Sequence, residues 1–391
     1  MHKREISRGT LETVTLKLLE YCRSRNWAGY DPYDILNSKL VAQLKFLDSR
    51  LPRLALTQVM KRNPINLRPI FLVPRTQNPK AIAVFLSAFL NLRKCGMLSE
   101  DDLVWDMVEK LEKLRSPDSR YWSWGYSFPW QTRTKIVPRG FPNLVCTVFV
   151  ANALLDCYEI YHEKKCLAMA LEAAEFILSE LYWSEGEKRA GFGYPLPSMR
   201  SPIHNANFLG AALLSRVHRL EPSDKFLLPA LKVARFSVSR QNTDGSWYYG
   251  ELPKQCWIDN FHTGYNLTAL HGLNKYVQTS EFVWPIQKGF QFYRNHFFRV
   301  DGAPRYYHDR DYPVDVHCVA QSLITLAALR DYGEGNREVA CIVLQWALNH
   351  LWNKRGFFYY QVHPLFTNKI SYMRWSQAWM LLALSRFLDD L

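Results

Sequence analysis

The chain has 391 residues, 48% of them hydrophobic and 14% aromatic, enough for a substantial core and too apolar for a disordered segment. Lys and Arg number 49 against 36 Asp and Glu, a net charge of +13 that favours an anionic partner. The basic residues are scattered, with no run of five or six and no RNA-binding or zinc-finger signature, so nucleic acid is not the expected partner.

The first residues, Met1 to Glu5, lack the apolar stretch of a signal peptide, and no uninterrupted run of 18 apolar residues occurs. The expected setting is therefore cytoplasmic, without a transmembrane span. A helix is expected over 10–23. Residues 36–77 read as an insertion, helical up to Lys61 and then Pro-rich through Pro64, Pro69, Pro74 and Pro79. It shows no obvious core of its own and is expected to pack as an arm on one single domain covering 1–391.

Helical pairs follow: 81–92 with 101–114, 144–161 with 166–181, 204–218 with 224–240, 260–276 with 280–297, and 316–331 with 336–351. A last helix over 372–388 has no following partner, as 10–23 has no preceding one. The first member of each pair is richer in small apolar residues and suits an inner ring, while the second carries charge on one face. Ser223, Asp224 and Asn336 are expected caps. Short hairpins are expected in loops at 246–250 and 357–362. The eight cysteines make no CxxC pair and read as small buried hydrophobes.

A tyrosine mark recurs along these pairs. Tyr194, Tyr249, Tyr307 and Tyr360 stand 55, 58 and 53 residues apart, and weaker copies occur at Tyr30 and Tyr126. Such a period means repeated supersecondary units. The 31 residues after Tyr360 and the 30 up to Tyr30 together make one further repeat. Pairing the first and last helices gives six helical hairpins in a closed ring, an all-α fold with short loop hairpins.

In such a ring the inner helices are parallel, and their N-termini gather at one mouth. Aligning Ala269 with Thr325 places Asp259 and Asp315 at matching positions, with His262 and His317 close by. His204 and Asn205 come from an earlier repeat, Arg374 and Gln377 from the last. Neighbouring inner helices about 8–10 Å apart would set two carboxylates near the separation of an inverting glycosidase. Alternatively both aspartates are helix caps. Trp124, Tyr126, Trp247, Tyr249, Tyr307 and Tyr360 are expected at the mouth as sugar-stacking surfaces. Arg133, Arg139, Arg305, Arg310 and Arg374 suit bidentate contact with acidic oxygens. Asp315-Val316-His317-Cys318 carries zinc-ligand residue types but has no matching partner elsewhere, so no metal and no cofactor is expected.

Gln241-Asn242-Thr243-Asp244-Gly245-Ser246-Trp247 resembles the Q-x-x-x-G-x-W element of terpenoid cyclases and prenyltransferase β-subunits. That resemblance implies an (α/α)6 toroid. Its chemistry does not carry over, because the cyclase D-x-D-D acid is absent and the stretch from Ser371 to Trp375 lacks the zinc-binding His. Four further segments, Trp27 to Asp34, Pro64 to Pro69, Trp257 to Asn266 and Tyr372 to Trp379, are similar to a toroid family found with exopolysaccharide-biosynthesis genes, among the terpenoid-cyclase-like and six-hairpin glycosidase-like toroids. That similarity implies a glycan context and assigns no catalytic residue.

The expected function is action on an acidic, uronate-containing oligosaccharide or sugar intermediate. For hydrolysis Asp259 and Asp315 would be the acid and base. For lysis or epimerisation His262, His317 or Tyr307 would move the proton next to the carboxylate, with Arg374 neutralising that carboxylate. One alternative is a non-catalytic glycan-binding or scaffold protein in contact with polysaccharide assembly proteins. Another is a terpenoid or prenyl-type toroid enzyme.

Overall fold

The computed structural model describes residues 6–44, 47, 49–132 and 135–389. Six inner helices form its centre: α3 (Pro79–Lys94), α5 (Leu144–Tyr161), α7 (His204–Leu220), α9 (Asn260–Val277), α11 (Val316–Ala328) and α13 (Trp379–Asp389). Each packs on the next, and α13 packs on α3, so the ring closes. The outer helices are α4 (Asp101–Lys113), α6 (Lys164–Phe176), α8 (Asp224–Val238), α10 (Val283–His296) and α12 (Asn336–His350), each against the inner helix before it. The sixth outer position is filled by α1 (Arg8–Arg23), which lies against α13. The architecture is an (α/α)6 toroid.

The inner helices start where the sequence supplies caps. The side chains of Asn78, Asn143, Asp259 and Asp315 accept from the backbone N–H groups of Lys80, Cys146, His262 and His317, satisfying first-turn donors. Small residues then allow close approach. A Cβ on Gly264 would stand 2.6 Å from Gln321 Cγ and 2.7 Å from Thr325 Oγ1, so α9 and α11 meet closely only with glycine there. Two expected caps act differently. Ser223 precedes α8 without a side-chain cap bond. Asn336 is the first residue of α12, and its amide donates to the carbonyls of Leu329, Arg330 and Gly333.

The tyrosine period has a backbone cause. The N–H of His204 donates to Tyr249 O, that of Asn260 to Tyr306 O, that of Val316 to Tyr360 O, and that of Met373 to Tyr30 O. Each of these four tyrosine loops thus returns to the start of an inner helix. Tyr30, at the head of the chain, does this for the last one.

Strands are short: β1 (Trp130–Gln131) with β2 (Ile136–Val137), β3 (Tyr182–Glu185) with β4 (Arg189–Phe192), β6 (Trp352–Asn353) with β7 (Phe357–Phe358), and a sheet of β5 (Val314–Asp315), β8 (Gln361–Val362) and β9 (Thr367–Asn368) in the order β5-β8-β9. The segment 357–362 pairs in two sheets rather than as one hairpin. The expected hairpin at 246–250 does not form; Gly250 makes only an isolated bridge to Ile203.

The insertion contains short turns at Asp34–Asn37 and Val41–Gln43 and then α2 (Arg50–Arg62). Contrary to expectation it has a small core, with Ile35, Val41, Leu47, Met60 and Val73 buried together. Helix α5 is long and apolar enough to cross a membrane, but it stands in the inner ring, packed by α3, α6 and α7.

Candidate active site

A cavity of about 770 Å³ opens at the N-terminal end of the inner ring, within the range of small-molecule sites. Every inner helix contributes from its start: Lys80, Val145, Asn205, His262 and His317 from the first turns of α3, α5, α7, α9 and α11, and Arg374 from the turn leading into α13. That last turn, Met373–Ala378, is a π-helix, a form that often marks functional positions.

On one wall Asp259 and His262 form a dyad. The buried Asp259 caps α9 through Oδ1. Its Oδ2 lies 2.7 Å from His262 Nδ1 and accepts from Trp257 Nε1 at 2.9 Å. A carboxylate only accepts, so His262 carries its proton on Nδ1 and turns Nε2 outward. The imidazole is 22% exposed, lines the cavity, and lies against Tyr249, which stacks on Trp257 at 4.4 Å.

On the floor a second pair stands deeper. His317 Nδ1 lies 3.0 Å from the carbonyl of Trp375 and Nε2 lies 2.7 Å from the hydroxyl of Tyr265. The carbonyl requires a proton on Nδ1, so Nε2 accepts from Tyr265. Burial, followed by the nearby Lys80 charge, holds His317 well below the ordinary histidine range, and burial pushes the Tyr265 phenol up. Both are neutral at pH 7. The ring centroid of Tyr265 is 6.2 Å from that of His262 and 6.1 Å from that of His317, so the phenol ring neighbours both imidazoles while its hydroxyl bonds to His317.

Five cationic side chains line the cavity (Lys61, Arg62, Lys80, Arg310 and Arg374) against two carboxylates, Asp259 and Asp309, which makes the lining attractive to anions. Arg374 is already paired: Nε and Nη2 reach Asp31 at 2.6 and 2.9 Å. Arg310 pairs with Asp309, and Lys61 donates to Tyr33 at 2.6 Å. The arm therefore supplies part of the wall through α2. Arg68 ties it down at Asp34, 2.6 Å away. Thus the Asp31-Pro32-Tyr33-Asp34 segment holds both Arg68 and Arg374, joining three segments distant in sequence.

The expected site residues divide. Asp259, His262, His317, Tyr307, Arg374, Asn205, Tyr126 and Tyr249 line the cavity. Asn205 has a buried side-chain oxygen without a partner, suited to a ligand hydroxyl. Asp315 does not line it. It lies fully buried behind Trp375, capping α11 and accepting from Trp375 Nε1 at 2.9 Å and Gln361 Nε2 at 2.6 Å. Burial pushes its carboxyl up to about 6 despite these donors. The two carboxylates therefore do not flank a common space.

Trp124 and Trp247 are core residues. Their indoles donate to the carbonyls of Leu111 and Ser237 in the last turns of α4 and α8. His204 is buried against Ser237 and held down to about 4 by burial. Tyr360 packs edge-on to Tyr372, and Gln377 brackets the backbone of Phe358 with both amide atoms. Arg139 is exposed and away from the cavity, Arg305 pairs with Asp311, and Arg133 lies outside the described residues. Lys80, Lys61, Tyr33 and Tyr265 line the cavity without being expected site residues, as does Tyr194, which the sequence marked only as part of the repeat. Tyr265 alone carried a signal, three positions beyond His262 on the same helix face.

No family model matches the chain, nor does any curated protein sequence. Solved structures do. The cellobiose 2-epimerase of Bacillus thermoamylovorans aligns with a TM-score of 0.64 and 10% identity over 82% of this chain and 90% of its own. The unsaturated glucuronyl hydrolase of Streptococcus agalactiae aligns with a TM-score of 0.64 and 11% identity over 100% and 94%. A GH76 α-mannanase of Bacteroides thetaiotaomicron aligns at 0.60 and 11% over 80% and 85%. At such identities the shared property is the six-hairpin toroid.

Proposed function

We propose that this chain is a sugar-active enzyme that moves a proton at a carbon next to a carbonyl or carboxylate, as in epimerisation, isomerisation or uronate lysis. The observation that carries the reading is the presence of two separate proton-handling groups on one cavity: His262, oriented by Asp259, and the Tyr265 hydroxyl backed by His317. His262 Nε2, which carries no proton, abstracts one, and the Tyr265 hydroxyl supplies one by turning its O–H from His317 to the substrate, which is general acid–base catalysis. The cationic lining supports an acidic sugar, and the aromatic wall of Tyr249 and Trp257 supports ring stacking. The names of the aligned structures, an epimerase and a glucuronyl hydrolase among them, agree with a sugar substrate.

Two-carboxylate hydrolysis is the weaker choice, since Asp315 stands outside the cavity. The test is incubation in D2O with a panel of reducing sugars and uronates, followed by NMR. Deuterium should enter at the carbon beside the carbonyl or carboxylate, and His262→Ala should abolish it. Tight sugar binding with no exchange and no product would replace this reading with the binding-protein one.

A further inference from the structure

One cation of the cavity, Lys80, has no ion-paired partner among the described residues. Lys80 is 4% exposed and lines the cavity. Among the described residues its Nζ makes no hydrogen bond or ion pair, whereas Lys61, Arg310 and Arg374 all have partners. It sits over the rings of Phe149, Trp379 and Tyr265, at 4.3, 5.2 and 5.4 Å from their centroids. Those three rings are a partition: all line a second cavity of about 240 Å³ on the other side of the ring, and only Tyr265 also faces the first. The amine thus has aromatic faces at its back and the polar cavity in front.

We propose that Lys80 is a carbonyl-capturing amine, forming an imine with the open-chain aldehyde or ketone of a reducing sugar bound in this cavity. This inference rests on the proton-transfer reading of the same site. A lysine desolvated beside a second cation is the arrangement that yields a nucleophilic amine at neutral pH. The charge of Asp31 favours the charged form, but burial and then the neighbouring Arg374 outweigh it and hold the amine down to about 7.

In the step itself the Nζ lone pair adds to the carbonyl carbon. The two amine hydrogens leave with the carbonyl oxygen as water, and a C=N bond remains. The imine nitrogen takes a proton from solvent, the resulting iminium acidifies the adjacent C–H, and His262 Nε2 removes that proton to give an enamine. Reprotonation at carbon and readdition of water release the sugar and the free amine, with no oxidant or reductant required.

The experiment uses the intact chain at pH 7 with D-glucuronate, D-mannose or D-glucose and sodium cyanoborohydride, which reduces the imine to a stable secondary amine. Intact-mass measurement should show one adduct of the sugar's mass less one oxygen atom. Peptide mapping should place it on Lys80, at least about tenfold above any other lysine, because ordinary lysines are protonated at this pH. Mapping on the unaltered chain needs no variant; Lys80→Met should remove the adduct. Adducts confined to other lysines, or none with any sugar, would overturn the proposal. The D2O exchange test separates the two claims. Exchange without trapping leaves the acid–base reading standing and removes Lys80 from it. Trapping without exchange keeps Lys80 as the capturing amine and removes the acid–base reading.

Discussion

Three residues decide what the cavity can do, and each depends on a neighbour. Asp259 is both a helix cap and the group that sets the tautomer of His262. Asp259→Asn keeps a competent cap but not the carboxylate that holds the imidazole. Turnover is expected to fall by about 10²–10⁴ with the melting temperature near that of the parent; equal turnover in steady-state assays would remove the dyad from the chemistry. Lys80 costs stability. Its amine is held down to about 7 in the folded chain against about 10.4 unfolded. A base depressed by folding contributes fully only above its unfolded value, and the contribution is lost as pH falls through 7. Lys80→Met should therefore melt higher than the parent at pH 7, and the gain should fade toward pH 10, as measured by calorimetry across that range. Such a gain in stability with a loss of activity is the usual exchange at a functional site.

At the scale of elements, the start of α11 shows how one carboxylate can be indispensable without touching a substrate. Asp315 caps the helix and fixes the indole of Trp375, which stacks on His317 at 4.6 Å. Asp315→Ala removes the cap and strands a buried indole N–H, at a cost of about 1–3 kcal/mol in denaturant unfolding. Its titration supplies a second check. The carboxyl is raised to about 6 in the folded chain from about 3.9 unfolded. Its contribution is complete below about pH 4 and is lost as pH rises through 6. The melting temperature of Asp315→Asn minus that of the parent should accordingly increase between pH 4 and 7. A flat difference would mean that the three donors to this carboxylate outweigh its burial. On the neighbouring helix, Gly264→Ala forces a methyl against Gln321 and Thr325. It should destabilise by about 1–3 kcal/mol, measured in the same unfolding experiment.

At the scale of the whole molecule, the ring is held shut by contacts between its first and last segments. Helix α1 completes the outer layer against α13, Tyr30 receives the N–H of Met373, and Asp31 clamps Arg374 from 343 positions away. Both partners of that clamp are buried. Asp31→Ala leaves a buried guanidinium unpaired and should cost about 3–5 kcal/mol. Hydrogen exchange should then show α1 and α13 opening together, because each is the other's packing partner. Opening of α1 alone would mean that the ring closes through α13 and α3 only.

The repeat, the six hairpins and the end-to-end pairing were legible in the chain because helical periodicity and tyrosine spacing are local and repeat six times. The gathering of inner-helix N-termini followed from that topology, and Asp259, His262, His317, Asn205 and Arg374 lie together on one cavity. What the chain alone could not sort was direction. Asp259 and Asp315 occupy the same register, yet Trp375 stands between the cavity and only the second. Trp124 and Trp247 look like loop aromatics until their indoles are seen bonded to outer-helix carbonyls. Lys80 sits in an ordinary capped helix start, Asn78-Pro79-Lys80. Its significance arises only when three rings from α5, α9 and α13 surround it without an acid among them. Periodicity is written in the spacing of neighbours, whereas burial, tautomer and the absence of a counter-ion are properties of what the closed ring brings together.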